Sequence, residues 1–268
     1  MIGAILGDII GSRHEFLNTK TKDFKLMTIE DNFITDDTYM TIAIADAILK
    51  AKDDLDQLSQ YAKTSMLYIG NKYPSGYGTL FRKWLKSEDP QPYGSYGNGS
   101  AMRVSACGFY YQNEEDVIKC AEEVTKVTHN HPEGMKAAKV TALSIFYLKN
   151  GMSKYELKKI MSKEYNLFDK IDNIRRYYKF TEDAKYTMKP ALLAFLESND
   201  FIDAIRNAVS LGGDADTIGA ITGSLAQAYY GIPKDLYVQI EPYIYHEELI
   251  EILNRFEKVV PTIFEKKK

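Results

Sequence analysis

Thr35, Asp36, Asp37 and Thr38 form an unbroken TDDT run, and far along the chain Asp214, Asp216 and Thr217 stand in GGDADT. Each cluster sets carboxylates and a hydroxyl just ahead of an Ala-rich stretch of helix-forming residues. Either run alone reads as a helix N-cap, because Asp and Thr accept from the first free N–H groups and acids suit the positive end of the helix dipole. A cap needs one oxygen per helix, however, and these runs supply more. Crowded carboxylates repel one another and resist desolvation unless a cation compensates them. Two oxygen-only knots therefore provide the ligands for a pair of hard divalent cations such as Mg²⁺, Mn²⁺ or Ca²⁺, and they suit zinc or copper poorly. Such a centre favours an enzyme over a binding module.

Further polar groups stand in short motifs. Asp8 and Glu15 lie in GDIIGSRHEF. Asp8 interrupts an apolar helix, where a carboxylate must find a partner; it is either a buried anchor or a group that orients ligands from behind. Glu15 by itself reads as a surface acid. GNGSAMR, from Gly97 to Arg103, is either a turn before a helix or a run of small residues whose N–H groups cradle a pyrophosphate. THNHP carries His129 and His131 two residues apart. With no Cys or third His nearby, zinc is a poor reading; the choice lies between a capped helix start before Pro132 and a His that donates to a phosphate or ribose oxygen. Tyr77, Tyr93 and Tyr96 are loop residues able to stack on a purine.

The elements that must position these groups are helical. Apolar residues recur at helical spacing over Tyr39–Lys52, Met135–Leu148 and Phe201–Leu211. Thr217–Tyr230 is rich in Ala and Gly and stops at Gly231 and Pro233, and Glu247–Phe256 makes a last helix before a solvated, frayed EKKK tail. No convincing alternating strand exists, so the fold class is all-α. Gly3, Gly7 and Gly11 repeat every four residues, nearly matched by Gly219, Gly223 and Ala226. That spacing places them on one helix face, where helices approach closely. If the two stripes meet, the acid-bearing ends of their helices converge. Asn71–Ser100, dense in Gly, Pro, Tyr and Ser, and the polar stretch Lys163–Lys179 read as loops.

The chain of 268 residues is 45% hydrophobic and 26% charged, with a formal net charge of −3. This is ordinary globular composition, read as a single domain over residues 1–268. A sequence pI near 5.9 offers no basic field for nucleic acid. Cys107 and Cys120, the only cysteines, read as reduced structural thiols of a cytoplasmic protein. The apolar start lacks a positive n-region and carries Asp8 in its middle, which excludes a signal peptide, and no segment is long enough to span a membrane.

Taken together, GDIIGSRHEF, TDDT, GNGSAMRVS, THNHPEG and AIRNAVSLGGDADTIGAITGSLAQAYYGIP resemble, in this order, the ADP-ribosylglycohydrolase family. The resemblance covers most of the chain. It implies a compact all-α fold with two Mg²⁺ or Mn²⁺ ions in a central cleft. It also implies hydrolysis of the glycosidic bond between ADP-ribose and a protein side chain. Carried over motif by motif, it makes Thr35, Asp36, Asp37, Asp214, Asp216 and Thr217 metal ligands. Glu15 and Asp36 take catalytic roles, and Gly97, Asn98, Gly99, Ser100 and His129 contact the phosphates and ADP-ribose. The partner is an ADP-ribosylated protein or a small ADP-ribose conjugate such as O-acetyl-ADP-ribose, met by a monomer; a relative that binds without turnover, as a crystallin does, is the alternative. Ala106, where Pro often follows RVS, and Gln227, where an acid is common, depart from the family pattern outside the metal set.

Overall fold

A computed structural model describes residues 1–265. Its α-helices, in chain order, begin with α1 (Ile2–Ser12), α2 (Asp36–Ala51), α3 (Leu58–Lys72), α4 (Thr79–Leu85) and α5 (Gly99–Met102). They continue with α6 (Ser105–Tyr110), α7 (Glu114–Lys126), α8 (Pro132–Lys149), α9 (Lys154–Met161) and α10 (Ile171–Tyr177). The last are α11 (Ala184–Leu196), α12 (Phe201–Val209), α13 (Ala215–Tyr230), α14 (Lys234–Val238) and α15 (Glu247–Val259). Among the described residues only two isolated β-bridges occur, Gly97 with Asp183 and Ile232 with Phe264. The all-α reading holds. The expected helices at Tyr39–Lys52, Met135–Leu148, Phe201–Leu211, Thr217–Tyr230 and Glu247–Phe256 are present as α2, α8, α12, α13 and α15, each with slightly different ends.

Two expected loops contain helices. α4 lies inside Asn71–Ser100 and α10 inside Lys163–Lys179. Both are short and bury only a few anchors, Phe81, Trp84 and Leu85 in α4 and Ile171 and Ile174 in α10. The packing partner, more than local periodicity, holds such short helices. Of the expected tail, Glu265 is exposed and the three lysines lie outside the described residues.

Every residue of α1 is buried, Asp8 and Ser12 included, so this mostly apolar helix has no solvent face and lies within the core. Its main partner is α13. The glycine stripes meet in antiparallel register. A Cβ built on Gly3, Gly7 or Gly11 would collide with the backbone carbonyl of Gly223, Gly219 or Ala215 respectively. At the far end of this pair, Gln227 Oε1 accepts from the Gly3 N–H at 2.8 Å and from the Met1 amine at 3.1 Å. Gln227 thus ties the start of α1 to α13. Because the register is antiparallel, the C-terminal end of α1 and the N-terminal end of α13 lie together.

Asp8 ties α2 to the same pair. Its carboxylate accepts from the backbone N–H and the hydroxyl of Thr35, at 3.0 and 2.8 Å, and from the N–H and hydroxyl of Thr38. Burial pushes the Asp8 carboxyl up to about 6, against the opposing pull of the hydrogen bonds from Thr38 and Thr35. Asp8 is therefore a buried anchor that fixes the first turn of α2 against α1. Cys107 and Cys120 are free and buried, and no described helix is long and apolar enough to cross a membrane.

Candidate active site

The ends of α1, α2 and α13 open on one cleft of about 440 Å³, within the roughly 300–1,000 Å³ of typical small-molecule sites. Glu15, Asp36, Asp37, Asp214, Asp216 and Thr217 line it, together with Gly97, Asn98, Gly99 and His129. Thr35 and Ser100 stand behind its wall. The Thr35 hydroxyl is held by Asp8 and lies 3.3 Å from Asp37. Ser100 is fully buried and donates to the Gly97 carbonyl.

Capping accounts for little of this oxygen. At α2 the cap is Thr35, whose hydroxyl accepts from the Asp37 N–H at 3.2 Å. Asp214, at the N-cap position of α13, makes no capping bond; its carboxylate accepts instead from Asn98 Nδ2 at 2.6 Å. Gly212 and Gly213 enter α13 with φ of 68° and 73°, a left-handed backbone that favours glycine. A side chain on Gly212 would also strike Asn18. The two glycines thus set the turn that delivers Asp214 and Asp216.

The two knots touch. The Thr217 hydroxyl donates to Asp37 Oδ2 at 3.3 Å, joining α13 to α2. Glu15, Asp214 and Asp216 bring carboxylate oxygens within 4.8 Å of one another, close enough to hold a metal ion. The turn carrying Glu15 is pinned by Arg13, which pairs with Asp31 at 3.1 Å, and by His14, whose Nδ1 lies 2.8 Å from the Thr19 hydroxyl.

Electrostatics favour a cation here. Burial, then repulsion from Asp8, raises Asp36 to about 7; burial, then Asp214 and Asp36, raises Glu15 to about 7. Burial and neighbouring acids push Asp37 and Asp216 well above the carboxylate range. Asp37 Oδ1 is buried without a hydrogen-bond partner among the described residues. Desolvated, mutually repelling carboxylates and an orphaned acceptor are what a divalent ion stabilises.

The opposite wall is built from the GNGSAMR and THNHP motifs. GNGSAMR resolves as a turn into α5. Its N–H groups are largely engaged: Gly97 donates to Ser95 Oγ, Asn98 to the Glu182 carbonyl and Ser100 to the Gly97 carbonyl. It is therefore not an open row of free donors. The two histidines divide. His131 caps α8 through a 3.2 Å bond from the Glu133 N–H to its Nδ1, whereas His129 is buried in the cleft wall. Tyr77 and Tyr93 line the cleft; Tyr96 is exposed and meets the His131 ring edge-on.

Sequence patterns carry no signal for two lining residues, Phe180 and Glu182, on the connection from α10 to α11. Phe180 stacks on Phe16 with ring centroids 5.7 Å apart, which brings that connection against the turn bearing Glu15. Lys20 fastens the same region, donating to the carbonyls of Tyr178 and Leu211.

Comparison with known proteins bears on the family and the fold. The family model for ADP-ribosylglycohydrolase matches residues 1–263. ADP-ribosylhydrolase ARH3 of Homo sapiens is 25% identical, over 96% of this chain and 93% of the human protein. ADP-ribosylarginine hydrolase Tri1 of Pseudomonas putida is 28% identical, over 87% of this chain and 70% of that protein. ADP-ribosyl-[dinitrogen reductase] glycohydrolase of Rhodospirillum rubrum is 26% identical, over 86% and 84%. A solved structure described as an ADP-ribosylglycohydrolase-related protein complex superposes with a TM-score of 0.74 at 24% identity, covering 97% of this chain and 95% of that one. This last likeness speaks to the fold.

Proposed function

The chain belongs to the ADP-ribosylglycohydrolase family, and from that premise we propose that it hydrolyses the glycosidic bond joining ADP-ribose to a protein side chain. Asp36, Asp37, Asp214, Asp216 and Thr217 would hold two divalent cations, Mg²⁺ or Mn²⁺, with Thr35 backing them from behind the wall. The single observation that carries this reading is the junction of the two acid knots: Thr217 against Asp37, and Glu15, Asp214 and Asp216 around one point. When bound, such ions supply Lewis acidity and neutralise the negative cleft.

The chain's own residues do the rest. Asp8 and Asn98 orient the acids, the first through Thr35 and Thr38 and the second through Asp214. In this reading Gly97, Asn98, Gly99, Ser100 and His129 hold the phosphates of ADP-ribose and Asp36 takes a catalytic role; all but Ser100 line the one cleft. Glu15, half-buried at the mouth, stands at the leaving-group side, where a carboxyl assists proton transfer or positions the substrate. Glu182 and the Phe16–Phe180 stack flank that same mouth.

The test is release of free ADP-ribose from substrates linked through Arg, through Ser and through acetate, each with Mg²⁺ and with Mn²⁺. Turnover of a protein-linked substrate is expected. Turnover of the acetyl conjugate alone would move the activity to small ADP-ribose conjugates, and binding of ADP-ribose without any turnover would make the chain a binding protein.

A further inference from the structure

Arg103 is a charged side chain in an unusual position. It follows α5, lines the cleft and is only 1% exposed. No carboxylate of the described residues lies within ion-pair distance of it. Burying a guanidinium without an acid is costly, so its remaining bonds identify what it does. Its Nη2 donates to the Thr128 hydroxyl at 2.7 Å, and its Nε is buried without a partner among the described residues. Thr128 Oγ lies in turn 2.8 Å from His129 Nδ1.

The direction of this chain of bonds follows from the chemistry of its members. A guanidinium only donates, so Thr128 Oγ accepts from Arg103. Thr128 is fully buried, and its hydroxyl has no other partner among the described residues. Donation of that one hydroxyl proton to His129 Nδ1 is the arrangement that keeps it hydrogen-bonded, and it requires a lone pair on Nδ1. Burial and the neighbouring Arg103 charge hold the His129 pKa well below its ordinary value, so the ring is neutral. Its single hydrogen is on Nε2. That nitrogen faces the cleft loop: a Cβ on Gly97 would stand 3.6 Å from it, and one on Gly99 3.3 Å.

We infer that Arg103, acting through Thr128, fixes His129 as the Nε2–H tautomer and so presents a permanent hydrogen-bond donor to the ligand diphosphate beside Gly97 and Gly99. Arg103 and Thr128 are positioning residues, and His129 is a donor and not a base. The opposite tautomer would point a lone pair at an anionic oxygen. The assignment of the acceptor as diphosphate rests on the ADP-ribose reading; the tautomer does not. The buried Arg103 charge adds attraction for the same anion.

Nitrogen-15 NMR of the histidine rings tests this, with the His129 signals assigned by their loss in His129→Gln. The expected spectrum of the metal-free wild type shows His129 Nδ1 unprotonated and Nε2 protonated. A protonated Nδ1 overturns the relay. Thr128→Val keeps the side-chain shape and removes the hydroxyl; it should mix the tautomers and raise the Kd for ADP-ribose by roughly tenfold or more, the scale of a hydrogen bond to a charged group. Thr128→Ser should restore both. An unchanged tautomer and Kd in a folded Thr128→Val protein also overturns the relay, and if that variant does not fold the wild-type spectrum alone decides. Failure of the wild type to bind ADP-ribose would sink the functional reading and leave the tautomer result standing.

Discussion

Gly7 and Gly219 meet backbone to backbone where α1 crosses α13, with no room for a Cβ on either one. This crossing fixes the register that brings Glu15 at the end of one helix to Asp214 and Asp216 at the start of the other. A methyl group at Gly7 has only the backbone of α13 to push against. Gly7→Ala should lower the unfolding free energy by about 1–3 kcal/mol, the cost of overpacking a tight core. Urea denaturation measures it. An unchanged midpoint would mean that the helices slide apart at no cost.

Asp8 should matter to metal binding without lining the cleft. Asp8→Ala leaves the hydroxyls and N–H groups of Thr35 and Thr38 buried without their acceptor. A loss of about 1–3 kcal/mol in stability is expected. Divalent-ion affinity should fall with it, because the first turn of α2 carries Asp36 and Asp37. Calorimetric titration with Mn²⁺ checks the second effect; wild-type affinity in a folded Asp8→Ala protein would show that Asp8 does not position the acids.

Stability should depend on His129 on the acid side of neutrality. The folded chain holds this ring neutral through burial and the adjacent Arg103, with Tyr93 tilted against it. In the unfolded chain it protonates near its ordinary value of about 6.5. Below that pH the unfolded state binds a proton that the folded state does not, so stability falls as the pH falls, by at most about 1.4 kcal/mol per unit from this group. Urea midpoints at pH 7 and pH 5 should therefore converge in His129→Asn relative to the wild type. An equal acid-side slope in both proteins would contradict the buried neutral ring.

Much of this arrangement is legible in the sequence. The Gly3–Gly7–Gly11 stripe, the TDDT and GGDADT knots and the stop at Gly231 are local signals with local causes; that the two stripes meet is shown by the packing of α1 on α13. Other parts are not legible there. Phe180 and Glu182 reach the cleft because Lys20 and the Phe16 ring hold the short connection between α10 and α11 in place, and no spacing in that connection announces it. α4 and α10 are too short for helical periodicity to show and depend on buried anchors such as Trp84 and Ile174. The small residues of GNGSAMR suggest a row of open N–H donors, yet Ser95, Glu182 and Gly97 itself occupy most of them. His131 and His129 are two residues apart in sequence, but one caps a helix and the other faces the cleft, a difference set by tertiary contacts.

The joined acid knots are tested most directly by ADP-ribose release from an ADP-ribosylated protein by metal-stripped chain titrated with Mn²⁺ or Mg²⁺. The two knots predict no turnover in chelator, recovery as the ions bind, and no recovery in Asp216→Asn. Full turnover in chelator, or recovery in that variant equal to the wild type, would contradict a cation centre built on Asp37, Asp216 and Thr217.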